Sequence, residues 1–373
     1  MKRLLIFVLS LLLITAAAGT AGAENLSGRS LGMGGAYTAT ADNITGVLYN
    51  PAVISERAYF DLDFNTGVIV SDREYFEQLY QVLEELNEGE EDITYYLDQI
   101  PDGVKLQGQA LAGLGVSSLG AAVNINNKLE TQVSDKEVDS REAKLSNLVT
   151  GEGIINFGQK LDSPAPEIMS LAYGVNFKLI SNNLTSFQLD EETMQMTSIN
   201  GATGQGLGLD AGVKARITEL ITLGAQVRNL WVQDYEIRGD KEIFEFNQTT
   251  GEWEEVDGEE TAVIKSPARR VTRVGAAVKV PVLDATIAAD LDNFPLLTEG
   301  DQDMVLHLGL EKNILFNGIS LRAGTFNPTG SKPRLYTAGI GINLANFHLD
   351  TAVAGDFQEK GSIGAVIGGG IKF

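Results

Sequence analysis

The feature that most constrains this chain is a period of two, recurring in segments of about ten residues from Tyr59 to the last residue, Phe373. Between Ile168 and Ile180, Met169, Leu171, Tyr173, Val175, Phe177 and Leu179 alternate with Ser170, Ala172, Gly174, Asn176 and Lys178. Between Gln205 and Ile217, Leu207, Leu209, Ala211, Val213 and Ala215 alternate with Gly208, Asp210, Gly212, Lys214 and Arg216. Neighbouring side chains of a strand point to opposite faces, so each segment reads as a strand with one apolar and one polar face. The same pattern runs through Tyr59–Ile69, Val104–Val116, Leu119–Asn126, Ile221–Trp231, Arg270–Val280, Asp284–Asp292, Asp303–Glu311, Gly318–Phe326, Arg334–Leu344, Phe347–Ala354 and Ser362–Phe373.

A soluble sandwich also alternates. It rarely keeps strands this long and regular, with Asp, Asn, Lys, Arg and Gly on the polar face of segment after segment. The expected fold is all-β: a transmembrane antiparallel β-barrel of about 14 strands, with lipid outside and a polar lumen. Only thirteen segments are clear, whereas a single-chain bacterial barrel has an even number of strands. The fourteenth is expected at Leu184–Ser198, entered through a turn at Asn182-Asn183. The short turns at Ser117-Ser118, Asn182-Asn183, Thr218-Glu219, Pro281–Leu283, Lys312–Asn317 and Ala345-Asn346 then fall at one end. The long connections Val70–Gly103, Asn127–Glu167 and Val232–Arg269 fall at the other.

The first long connection has Tyr75, Phe76, Leu79, Val82, Leu83 and Leu86 at helical spacing, which predicts a short helix whose apolar stripe packs on its own protein. The acidic run Glu252–Glu260 lacks the ligand spacing of a calcium loop and reads as a solvated loop.

At the N-terminus, Lys2 and Arg3, the apolar run Leu4–Ile14 and Ala21-Gly22-Ala23 form the three parts of an export signal, with cleavage expected near Ala23. No later stretch approaches the roughly 20 apolar residues of a membrane helix. With 28 basic and 50 acidic residues, a net charge of −22, nucleic acid is excluded as a partner, because a polyanion needs a basic patch. The absence of cysteine removes disulfides, thiolate metal sites and cysteine nucleophiles.

Between signal and strands lies SLGMGGAYTATADNITGVLYNPA, Ser30 to Ala52. Its glycines and small residues make poor helix and little core, and Pro51 fixes a bend after Asn50. We read it as a compact plug. Gly32-Met33-Gly34-Gly35 is not a phosphate loop, since the third fingerprint glycine, a Gly-Lys-Ser/Thr and a preceding buried strand are all missing. The chain thus divides into a signal (1–23), a plug (24–57) and a barrel (58–373).

The order LGMGGAY, Ala41-Asp42-Asn43 and YNPA resembles the start of the mature chain in the FadL/OMPP1-like outer-membrane β-barrels, most of all the conjugal-transfer TraF-like and PorV-like branch. That resemblance implies residence in the outer membrane of a diderm bacterium. It also implies passive transport of small hydrophobic molecules past a movable plug, or alternatively an assembly or secretion role through the outer loops. Gly32, Gly34 and Gly35 would give the plug flexibility, and Asn50, Pro51 and Ala52 would fix its exit. The terminal Phe373 resembles the signal read by the barrel-assembly machinery, and the partners implied are outer-membrane lipid and a hydrophobic solute or a secretion partner.

The residues point to no enzyme, cofactor or metal. His307 and His348, the only histidines, lie on polar faces outside any HExxH, and there is no G-x-S-x-G elbow. Asp210, Arg216, Arg228, Arg273, Asp290, Arg322 and Asp350, with the two histidines, are expected to form a polar network in the lumen, since buried charges need partners.

Overall fold

The computed structural model describes residues 27–56, 60–71, 73–88, 99–136, 140–161, 169–190, 193–247, 250, 252–256, 260–294, 304–328, 334–356 and 361–373. The stretch 1–23, read from the sequence as an export signal, lies outside them. A single-turn helix α1 (Gly28–Gly32) and two 3-10 turns (Ile44–Leu48 and Pro51–Glu56) precede the first strand, β1 (Asp61–Ser71). Helix α2 (Arg73–Glu88) follows it. Then come β2 (Lys105–Val116), β3 (Leu119–Lys136), β4 (Ser140–Leu161), β5 (Ser170–Asp190), β6 (Gln195–Arg216) and β7 (Ile221–Val232). β8 (Glu236–Asn247), β9 (Glu252–Glu255) and β10 (Glu260–Lys265) lead to β11 (Val271–Val280) and β12 (Ala285–Asp292). The chain ends with β13 (Val305–Ile314), β14 (Ile319–Pro328), β15 (Leu335–Leu344), β16 (Phe347–Gly355) and β17 (Ile363–Lys372).

Strands β1 to β7 and β11 to β17 pair antiparallel in sequence, β7 pairs β11, and β17 returns to β1, so a closed barrel of 14 strands results. Closure joins the first and last strands of the sheet, which is what a sheet in lipid requires. The last residue completes it: the Phe373 amide donates to the Phe60 carbonyl at 2.9 Å, and the two rings lie 5.9 Å apart. The β1–β2 join is thinner, with Ser71↔Lys105 as its ladder pair.

The alternation has the meaning expected of it. Phe64, Val123, Ile155 and Phe177 are all more than half exposed on the outside, while Asp61, Asn176 and Asp210 are fully buried on the inside. An apolar belt of this extent belongs in lipid.

The count of 14 holds, but one strand is elsewhere than expected. The missing strand is β4, inside the stretch Asn127–Glu167 read as a loop, and Leu184–Ser198 is not a separate strand. β5 runs straight through Asn182-Asn183, which therefore make no turn: Asn182 pairs with Gly204 and Asn183 with Thr203. Leu184–Ser198 is instead the far end of β5, the start of β6 and the connection between them.

The barrel has two unlike ends. Turns at 117–118, 217–220, 281–283, 315–318 and 345–346 make a short-turn end. At the other, β3, β4, β5 and β6, of 18 to 22 residues, project past the belt, whereas β11 to β17 have 8 to 10. The long connection Val232–Arg269 is also built of strands. β8 takes over from β7 as the partner of β6, and β9 and β10 pair with β8. Glu252–Glu255, read as part of a solvated loop, is β9.

Helix α2 lies where the belt ends. Leu79 packs with Leu106, Leu129 and Leu145, with Val70 and Phe76 beside them. Val70, Leu106, Leu129 and Leu145 share the parity of the lipid-facing residues Val68, Ala110, Ile125 and Ile155, so α2 covers the outward face of the wall and not the mouth.

Candidate functional site

Residues 27–56 fill the lumen nearer the short-turn end. Their order comes from local caps and from the wall. In α1 the Ser27 hydroxyl accepts from the Ser30 amide while Ser30 Oγ accepts from the Ser27 amide, a capping box closed on itself. Asn43 Oδ1 accepts from the Gly46 amide and starts the first 3-10 turn. Ile44, Val47, Leu48, Tyr49, Val53 and Ile54 then cluster with Leu111, Ala122 and Ile154, the inward apolar residues of β2, β3 and β4. The plug, judged from composition too small for a core, supplies the central core of the barrel. Burial pushes the Tyr49 phenol up to about 12, and it lies 2.6 Å from the Ser30 hydroxyl.

An irregular segment inside a barrel has backbone groups that no ladder satisfies, and buried N–H and C=O must be paired. Wall side chains do it. Asp290 Oδ2 accepts from both the Tyr37 and Thr38 amides at 2.9 and 2.7 Å, and Asp61 accepts from the Ile44 amide. Asn65 accepts from the Gly28 amide. Asn176, Gln226, Asn156, Lys214 and Lys372 donate to the carbonyls of Val47, Leu48, Pro51, Ala41 and Asp42. In return Asn50 Nδ2 of the plug donates to the Val213 carbonyl of the wall at 2.9 Å.

Three charge clusters surround these contacts. Arg29 of α1 donates two bonds of 2.8 Å to Glu311 and pairs with Asp42 at 2.7 Å. Arg322 joins Glu311 to Asp350. Burial alone raises the Asp42 carboxyl, but Arg29 and Lys372 hold it well below the usual carboxylate range. In the second cluster Arg273 pairs with Asp292, which lies 3.2 Å from His307 Nε2, while His307 Nδ1 lies 2.7 Å from the Gly34 carbonyl. The third lies beyond the plug towards the long-strand end. Lys178 bonds Glu152 and Asp210 at 3.1 and 2.9 Å, and Arg228 bonds Glu152 at 2.7 Å.

Of the residues expected in the lumen network, Asp210, Arg228, Arg273, Asp290, His307, Arg322 and Asp350 are in these contacts. His348 pairs with Asp63 at 2.9 Å, and Asp63 accepts from Asn43 of the plug. Arg216 is half-buried at the short-turn end of β6. Sequence reasoning did not single out Arg29, Asp42, Glu152, Lys178, Asp292 or Glu311. Only the polar parity of their strands signalled the wall residues, and nothing local signalled which would meet the plug.

The plug glycines act by close approach. Gly34 has φ +64°, and a Cβ there would stand 2.4 Å from the Thr325 amide nitrogen. At Gly35 it would meet the His307 ring at 2.4 Å. The wall opens to receive them: a Cβ on Gly174 would lie 2.1 Å from the Pro51 carbonyl. Gly34→Ala therefore combines about 1–2 kcal/mol of left-handed strain with a backbone clash. The expected result is a plug cleaved by added protease at concentrations that leave the wild type intact, with β-structure by circular dichroism unchanged.

Cavities lie on both sides of the plug. One of about 320 Å³ at the short-turn end is lined by Arg29, Asp42, Arg322, His348, Asp350 and Lys372 among others. One of about 440 Å³ on the other side is lined by Glu152, Ile180, Asn182, Arg228 and Tyr235 among others. Among the described residues no group of carboxylates and histidines could hold a metal ion.

No family model and no curated protein matches this sequence. Solved structures do. The P. putida toluene transporter TodX is 12% identical with a TM-score of 0.63, over 94% of this chain and 99% of that one. The CymD monoaromatic hydrocarbon channel is 12% identical with a TM-score of 0.60, over 94% and 98%. A Pseudomonas aeruginosa FadL homologue is 10% identical with a TM-score of 0.56, over 95% and 100%. This chain has the fold of these FadL-type outer-membrane channels.

Proposed function

We propose that this protein is a passive channel of the outer membrane for small hydrophobic molecules, closed at rest by residues 27–56. The observation that carries the reading is a closed 14-strand barrel whose lumen is occupied by a segment held through reversible polar contacts. The solved channels of the same fold include a toluene transporter and a monoaromatic hydrocarbon channel, and hydrophobic solutes come to this chain from that likeness. Export through the 1–23 segment and recognition of Phe373 by the barrel-assembly machinery belong to the same reading. So do the assigned roles of Gly32, Gly34 and Gly35 in plug movement and of Asn50, Pro51 and Ala52 in anchoring it. The alternative, an assembly or secretion component of the TraF-like or PorV-like kind, rests on the plug motif alone, and none of the compared channels supports it.

The test is uptake of phenylnaphthylamine, which fluoresces on reaching lipid, by intact cells with and without the protein. The protein should also show a heat-dependent gel shift in the outer-membrane fraction. Faster uptake in cells carrying it is expected. Equal rates with the heat shift present would remove the channel reading.

A further inference from the structure

The seam that joins the first strand to the last is poorly specified from the lipid side. β17 pairs with β1 from Asp61↔Lys372 to Val70↔Ile363. Its outer face, Ile363, Ala365, Ile367, Gly369 and Ile371, repeats every two residues, so a slip of two keeps every apolar side chain in lipid. Its glycines, Gly364, Gly368, Gly369 and Gly370, weaken the register further.

The inner face carries the register. There β1 presents Asp63, Asn65, Gly67 and Ile69 to Gly370, Gly368, Val366 and Gly364. Each larger residue has a glycine across from it: a Cβ on Gly368 would run into Asn65, one on Gly364 into Ile69 and one on Gly67 into Val366. A slip of two in either direction sets Val366 against Asn65 or Ile69.

The plug holds this same face from within. Asp61, Asp63 and Asn65, none more than 4% exposed, bond Ile44, Asn43 and Thr45 at 2.9, 2.7 and 3.0 Å. Across the seam Lys372 Nζ donates to the Asp42 carbonyl at 2.7 Å, and His348 of β16 reaches Asp63 at 2.9 Å. The stretch 42–45 thus grips the first strand and the last at one height, since Asp61 and Lys372 are ladder partners.

The two grips differ in range. Those on β1 span 17 to 20 residues, whereas that on Lys372 spans 330. Local contacts close at small entropic cost and form early, and distant ones form late. On its other side β1 has only the thin join to β2 at Ser71↔Lys105, and it is an open edge until β17 arrives.

We propose that residues 42–45 are a template for barrel closure. They hold β1 while its second neighbour is still absent, and through Asp42 they receive β17 in register. The N-terminal segment then builds the barrel as well as filling it, and this role stands apart from what the channel carries.

The chain has no cysteine, so two added thiols report the seam. Val68 lies on the lipid face opposite Ala365. Val68→Cys with Ala365→Cys cross-links the native register. Val68→Cys with Ile363→Cys or Ile367→Cys cross-links a slip of two, because diagonal neighbours stand too far apart for a disulfide. Cross-links and the heat-dependent gel shift are followed while urea-unfolded protein folds into lipid vesicles. Asn43→Ser keeps a capping oxygen but is too short for Asp63, and Lys372→Met removes the grip on Asp42.

The double variant should close at least about fivefold more slowly, since contacts made by the rate-limiting step act on the folding rate. It should also give slipped cross-links that the parent lacks. Closure at the parent's rate and in the native register overturns the template, even with faster unfolding, because the contacts would then be a late lock. Glu152→Ala, destabilised away from the seam, should close at the parent's rate. Equal slowing there overturns the template by reducing it to general stability. If the double variant never closes, Lys372→Met alone decides by the same two readouts.

Discussion

Asp290→Ala should release the plug. In a planar bilayer the variant is expected to show brief openings at least about tenfold more often than the wild type. That ratio corresponds to 1.4 kcal/mol and is a lower bound, because two buried amides lose one acceptor and each costs about 1–3 kcal/mol when unsatisfied. The effect should be large, since Asp290 takes two successive plug amides, those of Tyr37 and Thr38. Asp290→Asn keeps an acceptor oxygen and should fall between the two. Unchanged opening in Asp290→Ala, with the heat-dependent gel shift retained, would show that the plug is held elsewhere or does not gate.

The barrel was legible in the sequence because lipid outside and water inside write the same two-residue code on every strand. It was misread where the plug touches the wall. Ile154 of β4 faces inward into the plug core and sits next to Ile155, which faces lipid, so two apolar residues fall side by side and the alternation breaks. Leu111 breaks β2 for the same reason. Asn182-Asn183 has turn composition, yet Asn182 faces the lumen and bonds Thr150 and Tyr235, where a polar residue is what the interior requires. The plug motif stood out by its glycines, but the polar partners named above that hold it are spread over eight strands, β1, β4, β5, β6, β7, β12, β13 and β17. No spacing in the chain announces that Arg29 will meet Glu311, 282 residues away.

The third charge cluster gives the second large effect, on stability. Glu152 and Asp210 face Lys178 and Arg228 in a buried, balanced set, with Asn124 donating to Glu152 at 2.8 Å and Lys178 fully buried. Glu152→Ala leaves two cations and one carboxylate in the set, and breaking a buried pair from one side costs about 3–5 kcal/mol. The urea midpoint of the barrel in lipid vesicles should drop accordingly, since midpoint and stability move together when the surface exposed is unchanged. Pairing Glu152→Gln with Lys178→Met removes one charge of each sign and keeps the set balanced. This double variant should recover more than half of the loss, because residues in one network couple. A double variant as unstable as the two single losses added together would mean that the residues act independently, and that the cluster is not a balanced unit. The same cluster holds Asn229 through Lys178 and Asp210. Lys178→Met alone should therefore loosen β7 beyond Arg228, where its register with β6 shifts, raising hydrogen exchange at residues 229–235 before the barrel as a whole unfolds.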